Sequence, residues 1–92
     1  MSATFDVPGW TVDGDWASAV FETGSFAKGV AFVVEIGRLA DAQNHHPDVV
    51  LTYPTVTVRT SSHDAGTLTA RDVELARTIS AAAVTLDIAQ SS

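Results

Sequence analysis

Three features of the chain predict an α+β domain of two layers, ordered β-β-α-β-β-α. An Asp13-Gly14 pair sits between two β-like runs, Trp10–Val12 and Trp16–Thr23. A long stretch of helical periodicity follows from Phe26 to about Gln43. Two further β-like runs then lead into a second helix opened by a cap sequence. The expected product is an antiparallel four-stranded sheet with both helices on one face.

Each element has its own signal. Asp-Gly between apolar runs is a strong hairpin signature, and a type I′ turn would need φ > 0 at both central positions. Ser25 is a suitable N-cap for the first helix. At about 100° per residue, Lys28, Glu35, Arg38 and Ala42 gather on one side. Phe26, Val30, Phe32, Val33, Ile36, Leu39 and Ala40 cover an arc of roughly 200°, wider than one sheet face requires. A second copy of the same chain is the simplest cover for the surplus. Gly29 and Gly37 each cost about 1 kcal/mol relative to alanine inside a helix, which close backbone approach would explain.

The runs Val49–Tyr53 and Thr55–Ser61 meet at Pro54. Val56 and Val58 alternate with Thr55, Thr57 and Arg59, giving one buried and one open face. Asp64–Leu68 reads as a loop, and Thr69-Ala70-Arg71-Asp72 as a capping box. Val73, Leu75, Ala76, Ile79, Ala82 and Ala83 stripe the second helix to about Leu86. Residues 1–8 are expected to form a short tail and residues 88–92 to fray.

The 92 residues fit a single domain over 1–92 that buries somewhat more than ~60% of its unfolded surface. With 46% apolar residues, global disorder is not expected. The chain has no cysteine, which excludes disulfides, thiolate metal clusters and thiol chemistry. MSATFDVPGW lacks the regions of a signal peptide, and no apolar run approaches the ~20 residues of a membrane span. A cytoplasmic protein is expected. A net charge of −6 argues against nucleic acid and anionic membranes as partners.

Chemistry concentrates in three histidines. His45 and His46 are adjacent where the first helix ends, and Pro47 forces His46 out of helical geometry. His63 follows a strand. Ends of elements are where a scaffold presents polar groups to ligands, and imidazole titrates nearest neutrality. Asp41 lies beside Val30 and Val34, one turn before His45, its natural i,i+4 partner. A partly exposed acid of the last turn is the alternative. Zinc is a further possibility, but the spacing matches no structural zinc pattern and adjacent histidines on a bent backbone tend to diverge.

Taken together, Asp41, His45-His46-Pro47, Tyr53, His63 and Asp72 carry a family's spacing. The stretch HHPDVVLTYPTVTVRTSSHDAGTLTARD, with Gly9-Trp10 upstream, resembles pterin-4a-carbinolamine dehydratases, also known as dimerisation cofactors of a homeodomain transcription factor. The resemblance covers roughly residues 9–83. It implies the same β-β-α-β-β-α fold and dehydration of 4a-hydroxytetrahydrobiopterin to quinonoid dihydropterin, in tetrahydrobiopterin recycling. It also implies His45 and His63 as an acid–base pair, with His46 orienting the pterin. Asp41 and Asp72 would be substrate-binding, although a helix cap explains Asp72 equally well. Trp10 or Tyr53 would be available to wall the ring. No metal or other cofactor is implied, and the assembly would be a homodimer or homotetramer. The alternative is a non-catalytic pterin-binding or protein-dimerisation module of the same fold. The chain departs from the family at Thr23, where an aromatic is usual, and at Thr67, where glycine is usual. If position 67 needs φ > 0, threonine would strain the loop that carries His63.

Overall fold

The computed structural model describes residues 4–62 and 64–91. The elements are β1 (Thr11–Asp13), β2 (Trp16–Glu22), α1 (Phe26–Gln43), β3 (Asp48–Leu51), β4 (Thr55–Thr60), α2 (Ala70–Thr85) and β5 (Ala89–Ser91). The sheet runs β1-β2-β4-β3, with every pairing antiparallel, and β5 also pairs with β2. The α+β class and the single helix-covered face are as expected.

Alternation decides which face is covered. Ala17, Ala19 and Phe21 of β2 and Val56, Val58 and Thr60 of β4 point inward and are buried. Of these, Ala19, Phe21, Val56 and Val58 meet Phe32 and Ile36 of α1 and Leu75, Ile79 and Ala83 of α2. Phe21 and Phe32 pack edge to face with centroids 4.9 Å apart, within the favoured range for aromatic pairs. The opposite face carries Glu22, Thr57 and Arg59, and Arg59 lies 4.2 Å above the Trp16 ring.

Among the described residues the sheet has five strands, not four, because residues 88–91 pack and pair where fraying was expected. Asp87 adopts φ 59 and turns the chain back, so that the Ile88 amide bonds the Ala83 carbonyl at 2.8 Å. Ile88 is buried, and Ala89–Ser91 pairs with Val20–Glu22 on the edge of β2 left free by the short β1. The three residues AQS carry no strand pattern; burial of Ile88 selects the conformation. The tail before β1 also packs, with Val7 against Val73 and Ala76.

The hairpin turn differs as well. Asp13 pairs directly with Trp16, so the central residues are Gly14 and Asp15. Only Gly14 has positive φ, the pattern of a type II′ turn.

Gly29 has the close contact expected of it, but within the chain. A Cβ there would lie 2.6 Å from Leu51 Cδ1. Cδ1 is the movable end of a partly exposed side chain, so Gly29→Ala is expected to change stability by less than about 1 kcal/mol, the cost of turning Leu51 aside set against alanine's better helix propensity. A loss above about 2 kcal/mol by chemical denaturation would show that Leu51 is fixed against α1. Nothing lies within 4 Å of a Cβ placed on Gly37, so packing inside the chain does not explain that residue.

Candidate functional site

The site begins with the way α1 ends. Asn44 takes the left-handed conformation, φ 50 and ψ 43, and its N–H bonds back to the carbonyls of Ala40 and Asp41. Asparagine is among the few residues that adopt this geometry readily. The reversal breaks the helical phase, and the next two side chains go to opposite environments. His45 turns inward and is 7% exposed, whereas His46 stays at the surface. Pro47 then leads directly into β3.

His45 and His46 each meet a carboxylate through Nε2. His46 Nε2 lies 3.0 Å from Asp41 Oδ1 in an exposed pair. The i,i+4 partner expected for Asp41 was His45. The left-handed turn at Asn44 carries His45 away and brings the fifth residue on, His46, to the carboxylate.

His45 Nε2 lies 2.7 Å from Asp72 Oδ1, where Asp72 is fully buried. Asp72 is held from three elements. Thr60 Oγ1 at the end of β4 donates to Oδ1 at 2.6 Å, and Ser62 Oγ donates to Oδ2 at 2.6 Å. The Thr69 backbone N–H donates to Oδ2 at 2.9 Å, completing the capping box of α2. Four donors thus fill the roughly four acceptor positions of one carboxylate. Direct ligand binding, the role expected of Asp72, would require breaking one of these bonds. The cap role and the link to the histidine site are both present, one on each oxygen.

Burial alone would push the Asp72 carboxyl up. The hydrogen bonds from Ser62, Thr60, His45 and the Thr69 N–H outweigh it and hold the pKa below its ordinary value of 3.8. Folding therefore makes Asp72 harder to protonate. Its contribution to stability is complete above about pH 4 and is lost as the pH falls further, through the depressed folded value. Asp72→Asn, although less stable at pH 6, is expected to lose stability less steeply between pH 5 and 3. Parallel urea-midpoint curves for the two proteins would contradict this assignment.

Asn44, His45, His46, Ser61, Asp64 and Arg71 line an open cavity of about 400 Å³, a size suited to a small molecule. A second cavity of about 340 Å³, lined by Gln43, His45, Ala70, Arg71 and Glu74, reaches His45 from the side of α2. Arg71 borders both and donates to the Asn44 carbonyl at 2.7 Å, which ties α2 to the turn that orients the histidines.

His63 lies outside the described residues, so its place in the site is an expectation from sequence. The neighbouring loop is free of the strain anticipated at Thr67. Positive φ falls on Gly66, at 69°, while Asn44 and Asp87 are the non-glycine residues with positive φ among those described. Neither aromatic candidate walls the cavity. Tyr53 is 69% exposed beyond the far end of β3, about 20 Å of extended chain from His46. Trp10 donates from Nε1 to Ser80 Oγ at 2.8 Å and packs on Phe21. Thr23 is buried and bonds the Pro54 carbonyl at 2.9 Å. Among the described residues, no group of three His, Cys, Asp or Glu side chains could hold a metal ion. No helix among them is long and apolar enough to cross a membrane.

Fold and site define a class: a two-layer α+β domain that presents adjacent histidines, each backed by a carboxylate, at the edge of a small-molecule cavity. The family model for pterin 4 alpha carbinolamine dehydratase matches residues 1–82. A relative from Roseiflexus castenholzii is 43% identical over 74 residues, 80% of each chain. One from Nocardia farcinica is 41% identical over 78 residues, 85% of this chain and 82% of its own. Both carry the name pterin-4-alpha-carbinolamine dehydratase provisionally. A crystal structure from Brucella melitensis, titled transcriptional coactivator/pterin dehydratase, superposes with a TM-score of 0.75 at 28% identity, covering 80% of this chain and 81% of its own. The chain belongs to the pterin 4 alpha carbinolamine dehydratase family.

Proposed function

We propose that this protein dehydrates 4a-hydroxytetrahydropterin to quinonoid dihydropterin by histidine acid–base catalysis, serving tetrahydrobiopterin recycling. The observation that carries the reading is the pair of carboxylate-backed histidines, His45 and His46, on one 400 Å³ cavity. The reaction moves protons and no electrons. An acid protonates the 4a-hydroxyl, which leaves as water. A base takes the N5 proton, and the N5 electron pair forms the new C4a–N5 double bond. Near-neutral imidazoles suit both steps, and neither step calls for a metal or redox cofactor. His45 and His63 are the acid–base pair, and His46, steadied by Asp41, orients the ring. The test is turnover of the carbinolamine by purified protein with and without chelator. Turnover insensitive to chelator is expected. Tight binding of a dihydropterin without turnover would instead favour a non-catalytic binding module.

A second reading, as a protein-dimerisation module, draws on one surface. Phe26, Val30 and Val34 of α1 are 51%, 42% and 68% exposed and share a stripe with Gly37. A second copy docked there would cover the surplus of the apolar arc, and Gly37 would admit its backbone. The two readings are compatible. Light scattering at micromolar concentration is expected to show a homodimer or homotetramer, and Val34→Glu should shift it toward monomer. A monodisperse wild-type monomer would refute the assignment.

A further inference from the structure

We propose that Asp72, with Thr60 and Ser62 as the positioning residues that hold its two oxygens, keeps the proton of neutral His45 on Nε2 and leaves Nδ1 as the nitrogen that exchanges protons with a ligand. Neither residue belongs to the spacing pattern that marks the family resemblance. The catalytic consequence rests on the dehydratase reading; the placement of the proton does not.

The argument is one of donors and acceptors. The Asp72 carboxylate can only accept, and it faces His45 Nε2 at 2.7 Å. A proton on Nδ1 instead would set the Nε2 lone pair against Oδ1 with nothing between them. Thr60 does not compete for Nε2, because its hydroxyl oxygen lies 2.6 Å from Oδ1 and 3.4 Å from His45 Nε2. Its single proton goes to the shorter, charge-assisted contact, so it does not donate to Nε2. Were that proton turned to the imidazole, Nε2 would become an acceptor and the tautomer would invert.

Ser62 secures the other oxygen. Its proton is committed to Oδ2, so the 2.9 Å contact with Thr69 Oγ1 makes the Thr69 hydroxyl the donor. The Thr69 hydroxyl oxygen accepts in turn from the Arg71 amide at 3.3 Å. The chain of donors runs in one direction, from the first turn of α2 into the carboxylate. With Nε2 committed, a ligand in either cavity lined by His45 meets the imidazole through Nδ1. That nitrogen is a base when His45 is neutral and an acid when it is protonated.

The test is long-range 1H–15N correlation spectroscopy of His45 in the full-length protein, at a pH where the ring is neutral. Wild type should show a protonated Nε2 and an unprotonated, acceptor-type Nδ1. Asp72→Asn must keep its carbonyl toward the Thr69 N–H, which turns its NH2 toward His45 Nε2, so it should move the proton to Nδ1, whereas Thr60→Val, which leaves the carboxylate free to accept, should hold the wild-type pattern. In turnover, Thr60→Val and Ser62→Ala should each lower kcat about tenfold with little change in KM, the loss of one hydrogen bond to a charged group. A wild-type spectrum with the proton on Nδ1 would overturn the proposal, and needs no variant to fold. So would a wild-type pattern that persists in folded Asp72→Asn. Turnover with the proton on Nδ1 would sink the proposal while leaving the dehydratase reading intact. The expected spectrum without turnover in any protein would do the reverse.

Discussion

Asp72→Ala is expected to cost about 3–5 kcal/mol of folding stability, because it leaves several buried hydrogen-bonding groups unpaired at about 1–3 kcal/mol each. The side chain is fully buried and receives four hydrogen bonds from three elements. Its loss leaves Thr60, Ser62 and His45 facing a void and strips α2 of its N-terminal cap at the same time. In a domain of this size each kcal/mol is worth about 4–8 °C, so the melting temperature should fall by more than about 10 °C. Thermal melts at pH 7 measure it. Asp72→Asn keeps an acceptor for the Thr69 N–H and should lose less. Equal loss in both variants would assign the stability to the charge; a loss under about 1 kcal/mol in Asp72→Ala would contradict the buried network altogether.

His45→Ala is expected to slow carbinolamine turnover by about 10²–10⁴, the usual worth of a general acid or base. His63→Ala should fall in the same range. Their combination should cost less than the product of the single effects, because groups acting as a unit are not additive. His46→Ala, removing an exposed side chain paired with exposed Asp41, should raise KM more than it lowers kcat and leave stability nearly unchanged. His45 is buried in the Asp72 network, so its replacement also costs stability, and the rate must be read on protein shown to be folded. A rate within about twofold of wild type for folded His45→Ala would remove His45 from the chemistry.

The parts of this molecule legible in sequence are those set by period and cap. Alternation at Val56 and Val58 fixed the buried face of β4, and the Thr69–Asp72 box fixed the start of α2. The same alternation, carried one step further, puts Thr60 in the core, where a hydroxyl needs a partner; that was the available signal for the Asp72 network. Ser62 offered no such signal, because its burial depends on how the loop after β4 folds back over α2. The i,i+4 rule assigns Asp41 to His45 because it assumes a helix that continues. A single left-handed residue, Asn44, ends it one residue too early. Strand β5 carries no signal in the sequence, because three residues without β-branched or aromatic side chains hold their place through Ile88 and the Gln90 side chain, which is bonded to Pro8 and Ser80.

The most direct test of the central claim is the initial rate of 4a-hydroxytetrahydropterin dehydration by the purified wild-type protein at pH 7, in the presence of chelator, against the same buffer alone. The account predicts a rate that rises in proportion to protein concentration and is unchanged by chelator. A rate indistinguishable from buffer at micromolar protein, with the protein folded and a dihydropterin bound, would contradict it.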